Sequence, residues 1–223
     1  MIKYMSHSIL IKFMTIEIDD SGTGDIIGSA FILFWRRETN TLIKKEIPLG
    51  LYQSPDFNKL TKNYIKNLFI EAFKEMDIPK TEDLYLCTGN CFDLAREYLK
   101  EEGYNYFDAK IEGYLQDCVE QTYLDHIIEN YDVPAHKISL ESGAKRFFSL
   151  FHWVYQDFPR RRAYVKTGFP KWKNKWEIEA ENKWMLEMIN INREYSRNNR
   201  RSTYKNHRNQ NFQNNRRKRN YRK

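Results

Sequence analysis

The sequence is poor in the features that mark several large classes of protein. Its three cysteines, Cys87, Cys91 and Cys118, form no Cys-x-x-Cys pair, which excludes zinc ribbons and thioredoxin-like redox sites. The odd count favours a reducing compartment, so we expect an intracellular, cytoplasmic protein. No apolar run approaches the roughly 20 residues of a membrane-spanning helix, and Lys3 and Lys12 interrupt the first apolar stretch, which argues against a signal peptide. P-loop, Rossmann and Ser-His-Asp signatures are also missing.

The net positive charge of the chain is concentrated at its C-terminal end. The chain has 37 Lys and Arg against 30 Asp and Glu. Twelve of the basic residues, but only one of the acidic ones, lie within residues 193–223. This tail therefore carries a net charge of +11, and the remainder carries −4. The chain is a mildly acidic body that carries a strongly basic tail.

The basic tail also has almost no aliphatic residues, so it cannot bury enough apolar surface to fold alone and is predicted to be disordered. Clustered Lys and Arg bind phosphate backbones through counterion release, and interspersed aromatics such as Tyr204, Phe212 and Tyr221 stack on unpaired bases. A solubilising or targeting segment, or one that attaches to another polyanion, is the alternative. We expect the tail to bind nucleic acid through Arg200, Arg201, Arg216, Arg217, Lys218 and Arg219.

The order of the predicted elements is βββαβαβα. Strands are predicted over residues 10–19, 28–37, 42–51, 84–87 and 104–111, and helices begin at Ser54 and span 92–101 and 115–131. An antiparallel meander followed by crossover connections predicts an α/β fold, a mixed five-stranded sheet with helices on both faces. The sequence divides into a sheet domain (1–134), a helical, aromatic-rich extension (135–192) and the basic tail (193–223).

Two adjacent acids end the first predicted strand. Asp19 and Asp20 follow the apolar stretch at residues 15–18 and run into the glycine-rich turn at residues 21–24. Burying carboxylates without a partner is costly, so acids at the end of a central strand are well placed to hold a hard divalent cation through oxygen. The alternative is an ordinary turn, in which Asp side chains bond to the backbone.

The order of the elements and three short motifs resemble the ribonuclease H-like superfamily, most closely type 2 ribonuclease H. The run Asp19–Gly24 (DDSGTG), followed by Gly28, is similar to the family's Asp-Glu-Ala-Gly-Arg-Gly pattern. The run Cys87–Asn90 (CTGN) ends the fourth strand where the family often has Asp-Gly-Asn. The run Ala109–Glu112 (AKIE) lies where the family's fifth strand ends in lysine, a small residue and aspartate. The resemblance covers roughly residues 10–131.

The resemblance implies an endonuclease that hydrolyses RNA, an RNA/DNA hybrid or branched DNA with two Mg²⁺ or Mn²⁺ ions. In two-metal hydrolysis one ion activates water and the other stabilises the leaving oxygen. By this likeness Asp19 bridges the ions, Asp20 is the second acid and Glu112 is a further catalytic metal ligand. The turn Gly22-Thr23-Gly24 would contact the nucleic acid. For Glu112 an ordinary solvent-facing strand end is the alternative.

The sequence also departs from the family pattern. Thr88 stands where the family has a catalytic aspartate, and a hydroxyl is a poorer metal ligand than a carboxylate. Asp93 would be a substitute, or an ordinary acid at a helix start. Thr23 replaces the arginine of the family's glycine turn, which contributes to recognising ribonucleotides. Two functions therefore stay open, a metal-dependent endonuclease and a non-catalytic nucleic-acid-binding protein on the same scaffold.

The third predicted helix offers acids that would complete the catalytic set. Glu112, Gln116 and Glu120 recur every four residues, and Asp117 lies three residues before Glu120. This spacing aligns side chains on one helical face. Other members of the superfamily take an acid from a late helix, so Asp117 or Glu120 is a candidate catalytic residue. A solvated polar face is the alternative.

The extension is rich in aromatic residues. Residues 144–155 predict a buried helix, and Arg160, Arg161 and Arg162 form a compact basic cluster expected to contact nucleic acid. Residues 171–191 predict one long amphipathic helix with several tryptophans. Core packing is the default interpretation of those tryptophans. A homodimer through these helices, or a nucleic-acid platform, is the alternative.

Overall fold

A five-stranded mixed sheet forms the centre of the protein in the computed structural model, which describes residues 14–220 and side chains as far as residue 198. The strands lie in the order β3-β2-β1-β4-β5; β1 to β3 form an antiparallel meander, and β4 and β5 run parallel to β1. The prediction of an α/β fold with this sheet is confirmed. Residues 10–13 of the predicted first strand lie outside the described part. The strands are β1 Thr15–Ser21, β2 Ala30–Arg36, β3 Thr41–Ile47, β4 Asp83–Cys87 and β5 Tyr106–Ala109.

Helices follow the meander and the two parallel strands. β3 ends at Ile47 rather than at the predicted residue 51, because Pro48 has no N–H to continue the ladder and opens a short helix instead. The helix after β4 ends at Gly103, whose φ of +75° is the left-handed conformation that glycine adopts readily. The helices are α1 Leu49–Tyr52, α2 Phe57–Glu75, α3 Asp93–Glu102, α4 Tyr114–Tyr131, α5 Ala144–Gln156, α6 Phe158–Arg161 and α7 Glu177–Asn220.

Two hydrophobic cores lie on opposite faces of the sheet. Ile16 and Ile18 of β1 point into the first core, where they pack with α2 and α3 residues such as Phe69 and Leu99. Because successive side chains of a strand point to opposite faces, Asp19 and Ser21 point toward the second core and α4. β1 is therefore packed on both faces, and this packing holds the two acids at its C-terminal end in place.

The extension shares the second core with the sheet. Phe151 and Trp153 of α5 are buried in the same cluster as Val119 of α4 and Leu33 of β2. The segment after α6 also bonds to the residues that follow the glycine-rich turn, where Gly28 N–H donates to the Tyr164 carbonyl (3.0 Å) and Lys166 N–H donates to the Ile26 carbonyl (2.9 Å). The extension therefore forms one wall around the C-terminal end of β1.

The long final helix differs from its prediction in length. A short π-helical turn, Trp172–Trp176, precedes α7, and α7 then continues through the basic tail to Asn220. The segment 193–220 is thus helical where the sequence predicted disorder. The start of α7 packs against α5, and its Ala180 is buried in the second core, so nucleation is already achieved and further residues such as Arg and Lys extend the helix at little cost. Among the described helices, none is long and apolar enough to cross a membrane.

Candidate metal centre

The two acids predicted from the sequence lie together at the end of the central strand. Asp19 is almost fully buried, with 2 % of its surface exposed, and Asp20 is partly buried. The Asp19 carboxylate bends back so that its Oδ1 accepts the Asp20 backbone N–H at 2.9 Å. Adjacent strand residues normally face apart, and this bend brings the two carboxylates to one site.

The second carboxylate oxygen of Asp19 has no hydrogen-bond partner among the described residues. Asp19 Oδ2 is buried and accepts no hydrogen bond from any residue that the structure describes. Burial raises the pKa of Asp19 to about 6, and the neighbouring carboxylates of Asp20 and Glu120 also act to raise it. A buried carboxylate oxygen without a donor is rare in native proteins, because its desolvation is not compensated. Among the residues that the structure describes, none gives this Asp19 oxygen a positive partner, which a bound cation would supply.

The thiol of Cys87 lies beside the carboxylates of Asp19 and Asp20. The parallel register sets Ile18 beside Leu86, so the next residues, Asp19 and Cys87, also come side by side. The ligand atoms of Asp19, Asp20 and Cys87 all lie within 4.8 Å of one another. Burial, followed by the charge of Asp19, raises the pKa of Cys87 to about 12, so the thiol is neutral. Carboxylate oxygens suit hard cations and sulfur suits softer ones, so this group fits a divalent cation without selecting one.

Cys87 lies beside Asp19, whereas Thr88, which stands where the resemblance implies a catalytic aspartate, is exposed beyond the end of β4. The alternation of side chains explains the difference, since Cys87 points to the same face of the sheet as Asp19. Pairing the two strands residue by residue, from Ile18 and Leu86, is the signal that would have identified Cys87.

Asp20 is held in place by two side chains. Its carboxylate accepts hydrogen bonds from the Thr23 hydroxyl (2.5 Å) and the Cys91 thiol (3.5 Å). Burial raises the pKa of Asp20, and the bond from Thr23 acts in the opposite direction. Gly89 passes close by, so that a Cβ there would lie 3.2 Å from Asp20 Oδ1. Thr23, predicted as a nucleic-acid contact, thus orients the second acid of the pair.

Glu120 of α4 is the predicted helix acid that reaches the site. Its Oε2 accepts a hydrogen bond from the Ser21 hydroxyl at 2.9 Å and forms a short ion pair with Arg146. Arg146 is buried on α5 and also binds Asp25, with Nε and Nη2 each 2.8 Å from Oδ2. A small cavity of about 140 Å³ opens between these groups, the glycine-rich turn and Asp20. The cavity thus has carboxylates and one guanidinium on its walls.

A buried lysine, Lys166, binds the glycine-rich turn from the side of the core. Gly22 has φ +81° and its carbonyl accepts the Asp25 N–H at 3.1 Å. The Lys166 ammonium donates a short hydrogen bond to the same carbonyl and lies 4.2 Å from the centre of the Tyr52 ring. Burial lowers the pKa of Lys166 to about 7. Sequence reasoning missed Arg146 and Lys166, because they lie 121 and 144 residues from their partners in the turn.

Two of the predicted acids stay outside the site. Glu112 is exposed and forms an ion pair with Lys110. β5 ends at Ala109, which pairs with Cys87, so a residue three positions later has already left the sheet. Asp117 is exposed in the first turn of α4 and forms no side-chain hydrogen bond or ion pair with another residue of the described part. The structure therefore brings neither acid to Asp19 and Asp20.

The predicted basic cluster is largely engaged in structural contacts. The Arg161 guanidinium lies 4.3 Å from the centre of the Trp153 ring, and Arg162 Nε binds Glu177 at 2.6 Å. Arg160 is exposed, 3.9 Å from Asp132. The side chains of Arg200, Arg201, Arg216, Arg217, Lys218 and Arg219 lie outside the described side chains.

The comparison with known proteins gives no family. The sequence matches no protein-family model, and no curated protein is significantly similar to it.

Proposed function

We propose that the protein is a divalent-metal-dependent endonuclease of the ribonuclease H-like kind, which hydrolyses phosphodiester bonds in nucleic acid with Mg²⁺ or Mn²⁺. The unpartnered Asp19 Oδ2 carries the proposal. It is buried at the C-terminal end of the central strand, beside Asp20 and Cys87, where a cation would compensate its charge. Catalytic groups are often held in such an uncompensated state, because the same arrangement shifts their pKa.

The residues of the site have separate tasks in this proposal. Asp19 and Asp20 hold the cation, and Thr23 and Cys91 fix the orientation of Asp20. Glu120 also lines the cavity, where the Ser21 hydroxyl and the Arg146 guanidinium hold its carboxylate in place. A bound divalent cation would polarise a phosphoryl oxygen and lower the pKa of a bound water.

Positive charge and open backbone favour the approach of a phosphate. Arg146 lines the cavity, and guanidinium groups bind phosphates well. Gly24 also lines it, and a Cβ at this position would meet no atom within 4 Å, so the turn leaves space for a strand. The +11 tail supplies a sequence-independent attraction to the phosphate backbone. These features support RNA, an RNA/DNA hybrid or branched DNA as partners.

A non-catalytic nucleic-acid-binding protein is the second candidate. Two observations favour it: the thiol of Cys87 stands in place of a third carboxylate, and Arg146 already neutralises Glu120. In this case the acid pair would be a degraded site, and the positive groups alone would bind the strand.

The test is cleavage of end-labelled substrates in Mg²⁺ and in Mn²⁺. The panel holds an RNA/DNA hybrid, a duplex with one embedded ribonucleotide, single strands and branched DNA. We expect metal-dependent cleavage of at least one substrate, reduced more than about 100-fold by Asp19→Asn, since even residues that only support a metal ligand are worth about 10- to 100-fold. Asp125→Asn, an exposed acid on the same helix as Glu120, is the matched control. Equal background in the native chain and Asp19→Asn, with tight binding retained, would establish the second candidate instead.

A further inference from the structure

An aromatic pocket lies next to the acidic cavity. It has a volume of about 530 Å³, within the range of about 300–1,000 Å³ typical of small-ligand sites. It is formed by the start of α5 and the segment before the π-helical turn, and its lining is almost entirely apolar. Neither the acid pair nor the buried charge network uses it. Its aromatic residues are Phe147, Phe148, Phe169 and Trp176.

One of these rings is not needed by the core. Phe147 and Trp176 pack against the second core, whereas Phe148 is 51 % exposed. The Phe148 ring meets Trp176 edge to face, with ring centres 5.6 Å apart and planes at 72°. Phe147 and Phe148 are also perpendicular, at 83°. This arrangement fixes the orientation of Phe148 while half of its surface stays open to a flat partner.

The pocket and the acidic cavity share a wall. Gly24 of the glycine-rich turn and Gly143 before α5 line both spaces. A Cβ at either position would meet no atom within 4 Å, so a ligand passes between the two spaces without obstruction by a side chain. A group bound at the acid pair and a group bound on Phe148 therefore belong to neighbouring parts of one ligand.

The outer edge of the pocket is positively charged. Lys171 lines the pocket, and Lys173 and Lys175 follow on the same turn; all three are exposed. The Lys175 ammonium lies 4.2 Å from the centre of the Trp176 ring. A flat apolar surface bordered by cations matches a nucleobase followed by its phosphates, because bases stack on aromatic rings while Lys attracts the backbone. An apolar peptide would gain nothing from these cations.

We propose that this pocket binds an unpaired nucleobase of the strand whose phosphate lies at Asp19 and Asp20. The inference rests on the proposed function and names its substrate class, a single strand or a duplex with an unpaired base near the scissile phosphate. A base inside a continuous duplex is covered on both faces by its neighbours, so it cannot reach Phe148 without leaving the stack.

The test measures binding rather than cleavage, in EDTA, with the full-length chain carrying Asp19→Asn. The probes are a fluorescent single-stranded oligonucleotide and the same strand with one abasic position in place of its central base. We expect the intact strand to bind more tightly, and Phe148→Ala to weaken it by roughly 5- to 150-fold while leaving the abasic strand unchanged. Phe107→Ala, which removes an exposed aromatic ring on β5, is the matched control.

The outcomes separate this inference from the proposed nuclease. Equal affinity of Phe148→Ala and its parent for the intact strand would overturn the pocket, and so would equal affinity for both probes. The first result is also what a pocket occupied by a protein segment would give. Metal-dependent cleavage by the native chain together with either result would leave the nuclease standing and remove only the base site. Base-dependent binding without cleavage would support the base site and contradict the proposed nuclease.

Discussion

At the scale of the residue, the ionised carboxylate of Asp19 lowers the stability of the folded chain. A pKa raised from 3.8 to about 6 corresponds to about 3 kcal/mol of destabilisation of the folded chain once the carboxylate is ionised. The folded state binds this proton more tightly than the unfolded state does, so stability falls as the pH rises from about 4 to above 6. A fold keeps such a group where its charge serves a function.

Removing the charge of Asp19 should therefore stabilise the metal-free chain. At pH 8 in EDTA we expect Asp19→Asn to raise Tm by roughly 6–12 °C, the equivalent of about 3 kcal/mol. The gain should shrink as the pH falls through 6 and vanish below about 4, where native Asp19 is protonated in both states. Thermal unfolding across this pH range measures it, with Asp125→Asn as the control. A native chain more stable than Asp19→Asn at pH 8 would show that the carboxylate is already compensated within the fold.

Residue-level reasoning from the sequence identified the acid pair but not its surroundings. Asp19 and Asp20 were predicted because they are adjacent in the chain and end an apolar strand. Cys87 was missed because its place depends on the register between two strands. Arg146 and Lys166 were missed because each meets the turn only through tertiary packing, and nothing nearby in the sequence points to them.

At the scale of the element, the glycine-rich turn connects β1 to the rest of the site. Gly22 has φ +81°, and a Cβ there would lie 2.5 Å from the Tyr123 ring. Gly24 has neither constraint. The sequence predicted the same role for both glycines, contact with nucleic acid. In the structure Gly22 packs against a buried ring, whereas Gly24 faces open space.

Alanine substitutions at the two positions should have different effects. We expect Gly22→Ala to lower the free energy of unfolding by about 2 kcal/mol or more, since it adds backbone strain and a clash with a buried ring. Gly24→Ala should change the free energy of unfolding by less than about 0.5 kcal/mol. Urea denaturation of the two variants measures the difference. Equal destabilisation by both substitutions would mean that the turn does not have the conformation described.

Element boundaries followed the sequence where local signals were strong. α3 stops at Gly103 as predicted, whereas β3 stops before Pro48 and not at the predicted residue 51. β5 was predicted too long because it is an edge strand, whose end depends on the pairing available from β4. That shorter strand is why Glu112 lies away from the acid pair.

At the scale of the whole molecule, charge is divided between an acidic body and a basic helix. The sequence predicted this division from composition alone. It did not predict that residues 193–220 continue α7, because their composition is that of a segment with no core of its own. A helix that begins on a packed surface needs no such core.

Deleting the tail should weaken nucleic-acid binding and reduce its salt dependence. A chain ending at Asn192 loses the +11 segment, and each lost phosphate contact on a single strand lowers the slope of log K against log salt by about 0.7. Binding titrations of one oligonucleotide at several salt concentrations give both quantities. A full-length chain with Arg216, Arg217, Lys218 and Arg219 changed to Gln controls for loss of length. An unchanged slope in the shortened chain would refute this role for the tail.

The central claim is that Asp19 and Asp20 hold a catalytic cation. Its most direct test is the rate of cleavage of a labelled strand with an unpaired region, as Mn²⁺ is titrated into the native chain and into Asp19→Asn. We expect cleavage that saturates with Mn²⁺ in the native chain and falls more than about 100-fold in the variant. Identical rates in the two proteins at every Mn²⁺ concentration would contradict it.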